Sequence, residues 1–260
     1  MENRINQLLA VKPKNILSVY YTAGFPKLND TVVIAKALED AGADLIEIGI
    51  PFSDPVADGP VIQESNKIAL DNGMTLKLLL EQVDYIRKQV KLPIILMGYL
   101  NPVLQFGVEK FCKDAAAAGV DGLILPDLPL LEYETEYKAI FGQFGLKNIF
   151  LISPTTSEDR IRKIDEASSS FIYAVSASST TGAKNGFSSE QEDYFTRLQK
   201  MKFKNPFLIG FGISTRETFR KASEYSAGAI VGSAFIQLLK QAKDLPKEID
   251  VLVKGLINKS

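Results

Sequence analysis

The sequence predicts an α/β fold in which eight parallel strands and the helices between them form one (β/α)8 barrel. Short apolar runs alternate with helical segments eight times along the 260 residues, without a linker or a change in composition. Most of the runs are apolar on both faces, as strands covered by helices are. Three helix-to-strand junctions are also alike, since each passes from alanine through glycine, which suits the left-handed end of a helix. These junctions lie at 41–44, 118–121 and 227–229.

The apolar runs are predicted as strands at 17–22, 45–49, 94–98, 122–125, 149–152, 171–175, 207–210 and 229–232. The segments between them have the apolar spacing of amphipathic helices, for example 30–41, 75–90, 108–118 and 130–144. We also predict an extra helix before the first strand, at 6–10, and another that closes the chain, at 247–256. The whole chain, 1–260, is interpreted as a single domain.

A doubly wound open sheet is the alternative to a barrel. A glycine-rich dinucleotide loop after the first strand would favour that sheet. The first strand leads instead into Ala23-Gly-Phe-Pro-Lys27, which does not match such a loop. The barrel is therefore the preferred prediction.

Composition argues against several classes of function. With 30 basic and 31 acidic residues, the chain has no overall field that would attract nucleic acid or an anionic membrane. No run is long enough to span a bilayer, and the first residues lack the apolar core of a signal peptide. The lone Cys112 cannot form an internal disulfide and is interpreted as a packed thiol. Together these features predict a cytoplasmic protein.

The chain contains no histidine. It therefore lacks the commonest general base, the commonest metal ligand and any Ser-His or Cys-His nucleophile pair. No metal site is predicted, and catalysis would have to use carboxylates, lysine, tyrosine or backbone donors. None of the eight apolar runs carries a lysine for a Schiff base, although Lys184 lies in a loop.

Two carboxylates stand out in the stretch from the second strand into the next loop. Alternation places Leu45, Glu47 and Gly49 on one strand face, so Glu47 is expected among apolar neighbours near the carboxyl end of the strand. Burial there would raise the pKa of its carboxyl. The Pro/Asp/Gly-rich loop that follows supplies Asp54 and Asp58. One carboxylate on a strand and another on a loop suit acid–base chemistry.

Other candidate residues gather at the same end of the predicted barrel, where chemistry belongs in this fold. The candidates are Tyr99, Asp127, Tyr173 and 210–213. The aromatic side chains at strand ends indicate a flat apolar pocket, although they would also serve as core filler. These aromatics are Tyr20, Tyr99, Tyr173 and Phe211.

The last two strands each run into glycine and then into a hydroxyl residue that opens a helix, at 210–215 and 232–237. Glycine lets backbone N–H groups approach an anion, and the helix dipole favours negative charge. Barrels often hold a phosphate at this place. The loop 176–186 adds further glycine and hydroxyl residues. The alternative is that these glycines only mark turns.

Several motifs, taken in order along the chain, resemble the tryptophan synthase alpha-subunit family. The most specific is Pro51-Phe-Ser-Asp-Pro-Val-Ala-Asp-Gly-Pro60, and the others are 44–47, 126–129, 210–214 and 232–233. The resemblance covers essentially the whole chain. It implies a (β/α)8 barrel that cleaves indole-3-glycerol phosphate to indole and glyceraldehyde 3-phosphate. It also implies a beta subunit that carries pyridoxal phosphate and receives the indole in an alpha2beta2 complex, with no cofactor in this chain.

Matching the motifs residue by residue assigns roles that the resemblance implies. Glu47 matches the catalytic acid/base of the family, and Asp58 matches its second catalytic carboxylate. The positions that match residues at or around the substrate are Tyr20, Ile62, Tyr99, Asp127, Tyr173 and Phe211. The positions that match phosphate-binding residues are Gly182, Gly212, Gly232 and Ser233.

The chain departs from the family pattern in the loop after the sixth predicted strand. Many members have Gly-Val-Thr-Gly where this chain reads Ser179-Thr-Thr-Gly182, and Ala177 stands where some have arginine. These differences bear on loop dynamics and signalling between subunits more than on chemistry. The sequence leaves two alternatives to this function open: another phosphate-binding barrel lyase or synthase, and a non-catalytic activator of the beta subunit.

Overall fold

The computed structural model describes residues 3–176 and 186–257. Within these ranges the strands are β1 (Ile16–Thr22), β2 (Leu45–Gly49), β3 (Ile94–Met97), β4 (Gly122–Ile124), β5 (Lys147–Asn148), β6 (Leu151–Ile152), β7 (Ile172–Val175), β8 (Phe207–Gly210) and β9 (Gly228–Val231). All of their pairings are parallel, and the order across the sheet is β5-β4-β3-β2-β1-β9-β8-β7-β6. The predicted α/β class is confirmed, and β1 lies at the centre of the sheet.

The fifth predicted strand is divided into two short pieces. β5 pairs with β4 at one end of the sheet, and β6 pairs with β7 at the other. Between them, the Ile149 N–H donates to the Leu123 carbonyl at 2.9 Å, and the Phe150 carbonyl accepts from the Tyr173 N–H at 2.9 Å. The chain thus passes from one edge of the sheet to the other and closes the barrel. The prediction of one strand at 149–152 missed this division, because each half follows a different neighbour.

Helices surround the sheet and cover its amino-terminal end. They are α1 (Arg4–Val11), α2 (Asp30–Ala41), α3 (Pro60–Asp71), α4 (Leu76–Arg87), α5 (Leu100–Phe106), α6 (Val108–Ala118), α7 (Leu130–Glu132), α8 (Lys138–Gln143), α9 (Glu158–Ala167), α10 (Ser189–Lys200), α11 (Arg216–Tyr225), α12 (Ser233–Gln241) and α13 (Leu245–Ile257). A π-helical segment, Tyr133–Tyr137, joins α7 to α8. The predicted N-terminal and C-terminal helices are confirmed as α1 and α13.

Two helix boundaries have local causes. The helix predicted from residue 75 begins one residue later, because the Thr75 side chain accepts from the Leu78 N–H and so caps α4. α2 ends at Ala41 and is followed by Gly42, which has a φ of 97° and donates its N–H to the Glu39 carbonyl. Glycine is favoured at that left-handed position, as the recurring Ala-Gly junction predicts.

The barrel interior is filled by one residue set and the strand–helix layer by another. Large apolar side chains inside the barrel include Ile16, Leu45, Ile95, Ile124, Phe171, Leu208 and Ile230. Ile5 of α1 belongs to the same cluster and is fully buried, so α1 closes the amino-terminal end of the barrel. Leu17 and Ile46, on the other faces of β1 and β2, pack in the outer layer. The alternation of strand side chains therefore decides what faces the interior.

Two carboxylates, one buried and one partly buried, tie the amino-terminal ends of the strands together. Asp121, only 3% exposed, accepts from the Ile94 N–H at 2.9 Å and pairs with Arg87 at 3.1 Å and Arg4 at 3.0 Å. Asp44 pairs with Lys12 at 2.6 Å. Buried charges need such partners, and polar contacts at this end of a barrel stabilise the fold. No helix in 3–176 or 186–257 is long and apolar enough to cross a membrane.

We expect Ile5→Ala to lower the free energy of unfolding by about 2–4 kcal/mol, because it opens a cavity at the closed end of the barrel. Chemical denaturation measures this change. Val11→Ala is the matched control, since Val11 lies on the same helix and is 82% exposed. Equal stability of the two variants would contradict the role of α1 as a closing element.

Candidate active site

Glu47 is positioned by the alternation of β2. Leu45 belongs to the interior cluster, and Glu47 is the next residue on the same face. In the ladder Glu47 lies beside Tyr20 of β1 and Ile95 of β3. Its side chain is 0% exposed, so the prediction that this carboxyl lies among apolar neighbours agrees with the structure.

The two carboxyl oxygens of Glu47 have different surroundings. Oε1 accepts a hydrogen bond from the Ser18 hydroxyl at 2.7 Å. Oε2 is buried and has no hydrogen-bond partner among the residues that the structure describes. Burial raises the pKa of Glu47 to about 7, and the Ser18 hydrogen bond acts in the opposite direction. The carboxyl is therefore poised to hold and to release a proton near neutral pH.

Asp58 lies on the loop between β2 and α3. The Asp58 N–H donates to the Pro55 carbonyl at 3.0 Å, and the Asp58 carbonyl accepts from Gln63 of α3 at 2.8 Å. Burial raises the pKa of the Asp58 carboxyl to about 6, and a hydrogen bond from Tyr99 lowers it. The Asp58 carboxyl therefore loses its proton at a lower pH than the Glu47 carboxyl does.

Tyr99 holds this loop at the mouth of the barrel. Its hydroxyl accepts from the Ala57 N–H at 2.9 Å and donates to Asp58. The Tyr99 and Phe52 rings lie 5.2 Å apart, so the phenol contacts the loop at both ends. Asp127 is exposed and accepts from the Leu100 N–H at 2.9 Å, which caps the helix that begins after Tyr99. Asp127 thus fixes the backbone immediately after Tyr99.

Two further phenols lie near Glu47 at the barrel mouth, Tyr20 beside it on β1 and Tyr173 on β7. Tyr20 and Tyr173 are 9% and 5% exposed, and burial is the largest cause that raises the pKa of each. The charges of Glu47 and Asp58 raise both values further. These phenols therefore stay neutral across the physiological range and present rings and hydroxyls beside the two carboxylates.

The Tyr20 and Tyr173 rings lie close over neighbouring strand ends. A Cβ at Gly49 would lie 2.3 Å from the Tyr20 hydroxyl oxygen, and one at Gly210 would lie 2.2 Å from that of Tyr173. Real contacts of that length do not occur, so larger residues at either position would displace the ring. The close approach of the two tyrosine rings explains why glycine occupies both positions.

Phe211 and Gly212 follow β8 in left-handed conformations, with φ of 69° and 76°. The Ser176 hydroxyl donates to the Phe211 carbonyl at 2.7 Å and holds this turn. The Phe211 ring meets that of Tyr173 edge to face at 6.3 Å. Residues at 210–212 therefore contribute an aromatic wall and a backbone turn to the mouth of the barrel.

The two predicted glycine-to-helix junctions differ in how their helices begin. Thr215 and Thr218 form a reciprocal cap on α11, so that helix satisfies its own first N–H groups. α12 begins after Gly232, and no side chain of the described chain caps its first turn at Ser233. The amino terminus of α12 is thus the one suited to an anion. Gly182 lies outside the described residues.

Ile62 lies in the first turn of α3, half-buried, and packs against the core. That turn is fixed to β1, because the Ser65 hydroxyl contacts both the Ile62 carbonyl at 2.8 Å and the Thr22 hydroxyl at 2.7 Å. Sequence reasoning missed Ser18, which contacts Glu47 directly. A polar residue two positions before Tyr20 in an apolar run was the available signal.

Known proteins of one family resemble this chain over most of its length. A family model described as tryptophan synthase alpha chain matches residues 7–256. The tryptophan synthase alpha chain of Flavobacterium johnsoniae is 57% identical over 240 residues, which cover 92% of this chain and 94% of that protein. The alpha chain of Parabacteroides distasonis is 53% identical over 254 residues, which cover 98% and 99% respectively.

Solved structures show the same fold. The tryptophan synthase alpha chain of Legionella pneumophila has a TM-score of 0.87 and 35% identity, covering 98% of this chain and 96% of its own. A chain of tryptophan synthase from M. tuberculosis, in its aminoacrylate-bound form, has a TM-score of 0.86 and 30% identity, covering 98% of both chains. The sequence resemblance and the barrel prediction are confirmed, and this chain belongs to the tryptophan synthase alpha chain family.

Proposed function

We propose that this chain is a lyase that cleaves indole-3-glycerol phosphate to indole and glyceraldehyde 3-phosphate in tryptophan biosynthesis. Membership of the family supports this activity. The single observation that carries the mechanism is the fully buried Glu47, whose pKa is raised to about 7. A carboxyl with that pKa is suited both to donate and to accept a proton at neutral pH.

Cleavage needs an acceptor for the electrons of the breaking carbon–carbon bond. Protonated Glu47 gives its proton to C3 of the indole ring, which becomes an electrophilic iminium. The resulting Glu47 carboxylate then takes the proton of the glycerol hydroxyl next to the ring. As that O–H bond breaks, the aldehyde forms, the C3 bond to the glycerol chain breaks, and its electrons restore the indole. Protons balance, and Glu47 ends as it began.

Asp58 acts on the other side of the ring. Its carboxylate accepts a hydrogen bond from the indole N–H and stabilises the positive charge that develops there. The lower pKa of Asp58, about 6, supports this division of roles, since Asp58 is ionised while Glu47 is still partly protonated. Tyr99 positions Asp58 and lowers its pKa.

The remaining site residues would bind rather than react. Tyr20, Tyr173 and Phe211 surround a flat apolar ring, and Ile62 borders it from α3. The phosphate would be held by backbone N–H groups at Gly212, Gly232 and Ser233, with Gly182 as a further candidate. The first turn of α12, which lacks a side-chain cap among the described residues, supports this placement.

We also propose that a beta subunit binds over the mouth of the barrel, in an alpha2beta2 complex, and receives the indole. The M. tuberculosis relatives, solved as tryptophan synthase, support such a partner. Apolar side chains exposed on elements that follow β2, β3 and β4 support a docking surface there, namely Val56, Leu104 and Leu131, which are 85%, 45% and 68% exposed. The cofactor pyridoxal phosphate would belong to the beta subunit alone. A cytoplasmic location, without nucleic acid or membrane partners, completes the proposal.

We expect Glu47→Gln to lower kcat for indole release by about 10²–10⁴-fold, because glutamine cannot transfer the proton. Binding of glycerol 3-phosphate, measured by calorimetry, should be unchanged. The part of the wild-type free energy of unfolding that comes from Glu47, about 3 kcal/mol, should be lost as the pH rises from 4.5 through 7, since the folded state keeps a proton that the unfolded chain releases. Asp58, whose pKa is also raised, adds a fall at somewhat lower pH. Glu47→Gln should lack the Glu47 part of the fall and keep the Asp58 part. Wild-type turnover in this variant would refute the mechanism.

Tyr99→Phe is expected to lower kcat about tenfold and to raise the pKa of Asp58, because the phenol oxygen no longer holds Ala57 and Asp58. The pH dependence of kcat measures both effects. Tyr85→Phe is the matched control, since Tyr85 is 58% exposed on α4. If the acid limb of the kcat profile were unchanged in Tyr99→Phe, the proposed role of Tyr99 in holding Asp58 would be contradicted.

Titration with the beta subunit should increase the rate of indole formation, because docking over the loop 51–59 would favour the position in which Asp58 meets the ring. Stopped-flow or steady-state assays with increasing beta subunit measure the response. Val56→Asp should weaken activation through loss of apolar contact, whereas Val251→Asp on α13, 65% exposed, should not. Activation that is equal in both variants would contradict docking at this end.

A further inference from the structure

Ser18 faces the interior of the barrel between Ile16 and Tyr20. The alternation of β1 places these three side chains on one face, and Ile16 belongs to the interior cluster. Ser18 is 0% exposed. A hydroxyl in such a place needs a hydrogen-bond partner, and the Glu47 Oε1 atom at 2.7 Å meets that need.

This contact makes the two oxygens of Glu47 unequal. Oε1 is engaged by the Ser18 hydroxyl, whereas Oε2 is buried with no partner in the described part of the protein. In a neutral carboxyl, one oxygen carries the proton and the other accepts hydrogen bonds. Because Oε1 already accepts from Ser18, the proton belongs on Oε2.

We propose that Ser18 is a positioning residue that fixes the plane of the Glu47 carboxyl and leaves Oε2 to exchange the proton with the substrate. The O–H bond on Oε2 breaks as the bond to C3 forms, and an O–H bond on Oε2 forms again as the glycerol hydroxyl loses its proton. Ser18 keeps its own proton throughout. This inference rests on the acid–base role proposed for Glu47.

The groups around Glu47 do not replace Ser18 in this role. Tyr20 on β1 and Tyr173 on β7 face the carboxyl, and burial raises the pKa of both, so neither titrates near neutral pH. Asp58 is the charged group that reaches this region from the loop, and Tyr99 bonds to it. Among the residues that the structure describes, Ser18 is thus the one whose side chain hydrogen-bonds to Glu47 itself.

Ser18→Ala tests the proposal in the full chain, with indole-3-glycerol phosphate as substrate. We expect kcat to fall about tenfold and KM to stay within about twofold, because orientation is lost while phosphate binding remains. The lost hydrogen bond stabilised the carboxylate, so the alkaline limb of the kcat profile should move up by about one pH unit. A merely structural role would not move that limb.

A second readout does not depend on turnover. The infrared band of the protonated Glu47 carboxyl is assigned by subtracting the Glu47→Gln spectrum, which removes contributions from Asp58. In Ser18→Ala this band should persist to a pH about one unit higher than in the wild type. Ser18→Thr keeps the hydroxyl and should restore both the limb and the band.

Matched variants separate the specific effect from general damage. Ser223→Ala removes another buried hydroxyl, which donates to the Phe219 carbonyl at 2.9 Å within α11, and it should leave the pH profile unchanged. If Ser18→Ala does not fold, Ser18→Cys keeps a similar volume with a weaker donor and should show the same upward shift.

The outcomes distinguish this inference from the proposed function. Suppose that Ser18→Ala or Ser18→Cys keeps the wild-type alkaline limb and infrared band while Glu47→Gln is inactive. That result would overturn the role of Ser18 and leave the role of Glu47 in place. Full turnover in Glu47→Gln would overturn the acid–base role of Glu47 and this inference with it. Shifts in Ser18→Ala that Ser18→Thr reverses would support both.

Discussion

The removal of one carboxyl group from water is the constraint on which the site depends. Glu47 is held inside the barrel by a strand that is buried from end to end, and the apolar surroundings make its ionised form unfavourable. The neighbouring features follow from that placement. Phenols beside Glu47 stay neutral, glycines at strand ends make room for their rings, and a serine hydroxyl gives one carboxyl oxygen a partner.

The second carboxylate, Asp58, is held in position in a different way. Asp58 lies on a loop, and its position depends on contacts that reach across from Tyr99 rather than on a strand. The site therefore combines a fixed group with a tethered one. A loop group of this kind is free to respond to a substrate or a bound protein, whereas the strand group keeps its environment whatever the loop does.

The sequence allowed the strands, most helices and the inward direction of Glu47 to be predicted, because alternation and apolar spacing are local properties. The division of the fifth strand was not predictable, since it depends on which neighbour each half pairs with. The Ser18 contact was missed for a related reason, because it joins two strands whose register the sequence does not state. The single-domain organisation and the roles of individual site residues stay predictions.

The central position of β1 in the sheet has a consequence for substrate size. β2, which carries Glu47, and β9, which leads to α12, both pair with β1. Glu47 and the start of α12 therefore lie on or follow strands that are two strand spacings apart, roughly 10 Å along the hydrogen-bonding direction. If Glu47 is the acid and α12 holds the phosphate, as proposed, this backbone spacing sets the distance between the reacting carbon and the terminal anion of the substrate. Side-chain changes in the pocket would alter which ring is accepted without changing that length.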